Sequence, residues 1–198
     1  RLTDVTGVQT CALPIFSTGL YFQLNPIKMV ASLEKPLALE GRLGLKRGIK
    51  NSLIIDDCYN SAPDSLRAAL EIFSEMKADR KIAVLGDMLE LGSEEEASHR
   101  KVGRWLAERK TDFFLAVGER MKVAVEEYRR LKQDHNLSSA WFASSEEAAT
   151  NLQSLVRPGD LILIKGSRGI KMEKIVGEIK RMPVGELIKK TYGKRSKR

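Results

Sequence analysis

The chain holds 198 residues, 42% hydrophobic and 30% charged, which allows one sizeable domain plus a short extra segment but not two full α/β domains. This balance excludes disordered, collagen-like and disulfide-scaffold classes, and apolar runs such as Leu161 to Ile164 stop at four or five residues, far short of a bilayer span. The formal net charge is +8, but Lys189, Lys190, Lys194, Arg195, Lys197 and Arg198 against Glu186 concentrate +5 of it in the last thirteen residues, so the folded body is only mildly basic and nucleic acid is not the expected partner.

Residues 1–16 carry no helical or strand period and no basic start of a signal peptide. The run VTGVQTCALPI, Val5 to Ile15, looks like an in-frame translation of a sequencing-library adapter. Residues 1–16 are therefore expected to be an artefactual leader before a truncated gene, and Cys11 is set aside with them. Cys58 is then the one thiol left, with no disulfide framework and no zinc site, as in a reducing compartment. Residues 17–40 hold a possible helix, Pro26 to Leu33, closed off by Pro36, and read as the end of a preceding domain and its linker. The organised body runs from 41 to 182, and 183–198 form a basic tail.

A short strand is expected around Leu43–Leu45. After it, an apolar strand precedes a helix-period segment five times. Leu53–Asp56 leads to a helix from about Asp64 with Leu66, Ala69, Leu70 and Phe73 on one face. Ile82–Leu85 leads to one from Ser93 with Val102, Trp105 and Leu106 inward. Phe113–Val117 is followed by Met121, Ala124, Val125, Tyr128 and Leu131. Ala140–Phe142 is followed by Ala148, Ala149, Leu152 and Leu155, and Leu161–Ile164 by Met172, Ile175, Val176 and Ile179. Offsets of three and four place each set on one stripe. Ser93 with Glu96, and Ser144 with Glu147, have capping-box spacing. Short, continuous apolar strands suit a sheet buried on both faces, and the alternation predicts an α/β fold with a doubly wound, mainly parallel sheet.

Ligands of such sheets bind beyond the carboxyl ends of the strands, which singles out Asp56–Asn60, Gly86–Glu90, Gly118–Glu119 and Lys165–Arg168. No G-x-G-x-x-G follows a strand and no G-x-x-x-x-G-K-[ST] occurs, so neither the usual dinucleotide turn nor a phosphate loop is expected here. With only His99 and His135, both read as surface helix residues, no metal site is expected. In IIDDCYNSAPDS a carboxylate leaving the strand can accept from both hydroxyls of a ribose; capping of turns by Asp56 and Asp57 is an equal reading. In DLILIKGSRGIKMEKIV, Lys165, Ser167 and Arg168 at a helix start suit an anion; a solvated basic loop is as good a reading of that string alone.

Taken together, D-D-x-Y-N at Asp56–Asn60, G-D-M-x-E-L-G at Gly86–Gly92 and K-G-S-R…M-E at Lys165–Glu173 resemble the C-terminal domain of the Mur ligases, over roughly Gly41 to Arg181. The Gly41-Arg42 pair is similar to the hinge of that family. The resemblance implies a Rossmann-like domain of an ATP-dependent amide ligase in the bacterial cytoplasm. The branch it points to joins D-alanyl-D-alanine to UDP-MurNAc-tripeptide through an acyl phosphate. On the matching positions it implies that Arg42 and Asp57 bind ATP, that Tyr59 and Asn60 line the cleft, and that Lys165, Ser167 and Arg168 hold the dipeptide carboxylate. It places the phosphate loop and the Mg2+ ligands on missing N-terminal and central domains, and no catalytic residue or metal ligand in this fragment, which on its own would be inactive.

Two departures accompany the resemblance. Where the family reads N-A-N-P this chain has Asn60-Ser61-Ala62-Pro63, leaving Ala62 at a helix N-cap unless Ser61 takes over, and Cys58 replaces a serine. Beside Asp56 and Asp57 a thiolate is disfavoured, so Cys58 reads as structural. A binding module using the basic tail on nucleic acid, and sister ligases adding a third-position amino acid or glutamates to folate, are the competing readings. A phosphoacceptor receiver domain fails because Gly118-Glu119, not an aspartate, follows the middle strand.

Overall fold

The computed structural model describes residues 16–33, 41–133 and 138–181. The leader to residue 15 with Cys11, Pro36, His135 and the tail at 183–198 lie outside the described residues. The chain divides into two compact units, 1–38 and 39–198. In the first, α1 covers residues 16–21 and α2 covers Pro26–Leu33, the helix expected there. Asn25 starts α2 because its Oδ1 accepts from the Ile27 and Lys28 N–H groups at 3.0 and 3.2 Å, donors that a first turn leaves free.

The second unit is built on six strands: β1 Gly44–Arg47, β2 Leu53–Asp57, β3 Arg80–Gly86, β4 Phe113–Val117, β5 Ser139–Phe142 and β6 Asp160–Lys165. Their order is β1-β2-β6-β3-β4-β5, with β1 antiparallel to β2 and the remaining neighbours parallel. Helices α3 Pro63–Glu75, α4 Glu95–Ala107 and α5 Lys122–Lys132 supply one covering layer. The other comes from α6 Ser145–Leu155 and α7 Glu173–Ile179. Strand alternation assigns the faces. Ile55, Ala83, Leu85, Phe114, Ala116, Leu161 and Leu163 pack with Leu66, Phe73, Val102 and Tyr128. Their neighbours Ile54, Ile82, Val84, Leu115, Val117, Ile162 and Ile164 pack with Leu152, Ile175 and Ile179.

Several local expectations are corrected. Helix α4 begins at Glu95 after a 3-10 turn at Gly92–Glu94, so the Ser93–Glu96 box does not form. At α6 the Ser144 Oγ does accept from the Glu147 N–H. Leu131 is exposed although it prolongs the α5 stripe. His99, expected at the surface, is fully buried. Residues 168–170 form a short 3-10 turn after β6, so Lys165–Arg168 do not sit at the start of an α-helix.

Helices α4 and α5 meet closely at Gly103, where a Cβ would stand 2.4 Å from the Ala124 carbonyl oxygen. Beside that contact the buried Glu127 carboxylate receives Arg104 Nε at 2.8 Å and Arg130 Nη2 at 2.9 Å. Arg130 first, then Arg104, hold it down to about 2 from an ordinary 4.5. A depressed carboxylate stabilises the fold above its unfolded pKa, and that support is lost as pH falls through its folded value. Glu127→Gln should therefore be less stable than the parent at neutral pH and should lack the part of the acid loss falling between pH 4.5 and about 2. Urea unfolding at a series of pH values checks this; identical acid slopes would refute it.

Candidate functional site

Strand order creates the site. Chain tracing passes from β2 to β3, β4 and β5 and then returns, setting β6 between β2 and β3. The residues after β6 therefore lie between those after β2 and those after β3, where doubly wound sheets bind ligands. Register completes the arrangement, because Asp57 pairs with Lys165 across β2 and β6 and the two side chains leave the same face.

Lys165 Nζ lies 2.7 Å from Asp57 Oδ2 and donates to the Asn60 carbonyl at 2.8 Å; only 2% of its side chain is exposed. The other Asp57 oxygen accepts from the Leu43 N–H at 3.2 Å. Ser167 is equally engaged: its N–H donates to the Asp87 carbonyl at 3.0 Å, its Oγ accepts from the Leu89 N–H at 2.9 Å, and its hydroxyl reaches the Ser61 carbonyl at 3.3 Å. Asn60 is exposed, with its Oδ1 turned to the Ser61 N–H.

The remaining sequence-derived site residues stay open. The Arg42 guanidinium lies over the Tyr59 ring, 4.4 Å from its centroid, a favourable cation–π placement. Gly41, at φ +71°, makes the turn that delivers Arg42 there and accepts the Tyr59 N–H at 3.0 Å. The Arg168 side chain is 67% exposed and meets Glu173 only at 3.9 Å. Tyr59 and Arg168 border one cavity of about 280 Å³, whose wall includes Lys46, Asp56, Cys58 and Glu173. Asp56 faces opposite to Asp57, as alternation requires, and pairs with Lys46 at 2.6 Å. Burial, then the adjoining Asp56, pushes the Cys58 thiol up to about 12, so it is no nucleophile.

Two residues without an expected role support this rim. Asp87 is buried, accepts from the Met121 N–H at 2.9 Å and lies 3.6 Å from Arg120; burial pushes its carboxyl upward. Gly118, at φ +100°, admits it, since a Cβ there would be 2.5 Å from the carboxylate. His99 Nδ1 lies 2.7 Å from the Glu95 carbonyl, which can only accept, so that nitrogen carries the proton and Nε2 accepts from the Met88 N–H at 3.0 Å. The G-D-M string marked Asp87. For His99 the signal was its place three, four and seven residues before Val102, Gly103 and Leu106 on the buried face.

Among the described residues no group of three His, Cys, Asp or Glu side chains could hold a metal ion.

A family model for the Mur ligase, glutamate ligase domain, matches residues 41–168. A UDP-N-acetylmuramoyl-tripeptide–D-alanyl-D-alanine ligase from Escherichia coli (strain K12) is 36% identical over 160 residues, covering 77% of this chain and 32% of that protein. The crystal structure of MurF from Acinetobacter baumannii superposes with a TM-score of 0.69 at 30% identity, over 81% of this chain and 35% of that one. MurF ligase from Thermotoga maritima, solved in complex with ADP, shares the fold with a TM-score of 0.58 at 24% identity, over 75% of this chain and 32% of that one. The chain thus spans about a third of the length of the relatives it matches.

Ala62 is the N-cap of α3 and offers no side-chain acceptor, while Ser65 Oγ accepts from the Ala62 N–H at 3.1 Å. Pro63 at the first helical position fits a start that Ser61 does not take over; the Ser61 Oγ is buried without a partner among the described residues. Ala62→Asn restores the missing acceptor and should raise stability by about 0.5–2 kcal/mol. A denaturant midpoint equal to or below that of the parent chain would contradict the assignment of a vacant cap.

Proposed function

The chain belongs to the Mur ligase family, and we propose that it is the C-terminal domain of an ATP-dependent ligase that joins D-alanyl-D-alanine to UDP-MurNAc-tripeptide in the bacterial cytoplasm. The observation that carries this reading is the convergence of three loops on one rim. There Arg42 lies on Tyr59, Asp57 is held by Lys165, and Tyr59 and Arg168 border a common cavity. A carboxylate fixed at the end of a strand suits ribose hydroxyls, and an open guanidinium suits phosphate or carboxylate.

In the proposed reaction a tripeptide carboxylate oxygen attacks the γ-phosphorus of ATP, the bond from that phosphorus to the bridging oxygen breaks, and ADP leaves with the acyl phosphate formed. The dipeptide amine then attacks the acyl carbon, the bond from that carbon to the phosphate oxygen breaks, and phosphate leaves as the amine loses its proton. Arg42 and Asp57 serve the nucleotide, while Tyr59 and Asn60 line the cleft between nucleotide and amine. Arg168, with Lys165 and Ser167 behind it, serves the dipeptide carboxylate. The contribution of these groups is approximation and charge placement. The phosphate loop and Mg2+ ligands would come from other domains of the parent ligase, and the isolated chain would be inactive.

A charged hydrogen bond contributes roughly 1.5–3 kcal/mol. In the parent ligase Arg42→Ala should therefore raise KM for ATP about ten- to a hundred-fold, and Arg168→Gln should do the same for D-alanyl-D-alanine. Steady-state kinetics with each substrate varied in turn check the assignment. Clear ATP turnover by residues 17–198 alone, with both acceptor substrates present, would overturn the proposed division of labour between domains.

A further inference from the structure

We infer that Lys165 and Ser167 are positioning residues that lock the three rim loops into one frame, and that Arg168 alone of the K-G-S-R string contacts the incoming carboxylate. This inference rests on the ligase reading and sharpens it.

Neighbours in sequence here occupy opposite environments. Lys165 is the last residue of β6, with its ammonium already on Asp57 and the Asn60 carbonyl. Ser167 uses its N–H, its hydroxyl hydrogen and an oxygen lone pair on three protein partners, and only 3% of the residue is exposed. The enclosed Lys165 ammonium and Ser167 hydroxyl cannot turn to a ligand without leaving these partners unsatisfied, whereas each Asp57 oxygen keeps a lone pair for a ribose hydroxyl. Arg168 opens the next turn, is two-thirds exposed, and faces the cavity bordered by Tyr59.

The bonds of the two buried residues share a pattern. Their side-chain bonds join the end of β6 to other segments of the rim. The Lys165 side chain reaches the end of β2 at Asp57 and the loop after it at Asn60. Ser167 reaches the β2 loop at Ser61 and the β3 loop at Asp87 and Leu89. Loss of Lys165 would leave the Asp57 carboxylate buried without its counter-charge and release the segment bearing Tyr59 and Asn60. Loss of the Ser167 hydroxyl would release Leu89 and Ser61.

Replacing the dipeptide by D-alanyl-D-alaninamide, which lacks the carboxylate, separates contact from positioning. In the parent ligase Arg168→Gln should cost ten- to a hundred-fold in kcat/KM for the dipeptide but under about threefold for the amide. Lys165→Met should cost the same factor on both and raise KM for ATP about tenfold, with most of the ATP effect recovered by Lys165→Arg. Ser167→Ala, the milder change, should also cost equally on both. A Lys165→Met or Ser167→Ala penalty that vanishes on the amide overturns the inference. A wild-type ligase that forms neither product overturns the functional reading instead. The frame itself is read without activity in this chain by amide exchange: Lys165→Met should speed exchange at Leu43, whose N–H rests on Asp57, and Ser167→Ala at Leu89. Unchanged protection at both would refute the locking role.

Discussion

The ion pair between Lys165 and Asp57 is the constraint on which the rim depends. Bringing two charges into a buried position costs solvation, and their attraction offsets this only when geometry is good and the remaining donors and acceptors are filled. The geometry is good and a second bond backs each partner: the pair is 2.7 Å apart, the Asn60 carbonyl accepts a second lysine proton, and the Leu43 N–H donates to the other aspartate oxygen. The register of β2 on β6 places the partners opposite one another before any side chain rotates. Because those strands are distant in sequence and adjacent only through the return of β6, the pair forms only once β2 and β6 have met.

Around that pair the molecule separates groups that are spent from groups that are free. Asp56 is committed to Lys46, Asp87 to Met121 with Arg120 near, and both His99 nitrogens to backbone atoms. Arg42 and Arg168 stay outside, attached through a glycine turn and a short 3-10 turn. Preorganisation follows, since the backbone that carries each arginine is fixed by bonds that do not involve the arginine.

Most of the fold was legible because its signals are local and repeated. Five apolar runs alternate with five stripes of period three to four, and the observed elements follow them closely. The errors arose where a residue's partner lies far away in sequence. His99 read as a surface residue because nothing nearby announces that the Met88 N–H needs an acceptor, although its helical offset from Val102 and Leu106 placed it on the inner face. Leu131 continues a stripe by one turn beyond Tyr128, the last α5 residue in the core. Lys165, Ser167 and Arg168 look alike on paper as anion ligands; only the insertion of β6 between β2 and β3 buries the first two and leaves the third outside.

Commitments of the same kind remove three titratable groups near the rim from proton transfer. Transfer of a proton needs a group whose lone pair or hydrogen can be lent to a substrate. The Cys58 thiol is held protonated by burial, His99 has neither nitrogen to spare, and Asp87 is enclosed behind Gly118. The exposed cations at Arg42 and Arg168 can attract, orient and neutralise, but a guanidinium does not give up its proton in water. A surface so composed favours a transition state by placing charge and excluding wrong geometries. Under the proposed function, that is what this domain would contribute while the bond is made on groups from other domains of the parent ligase.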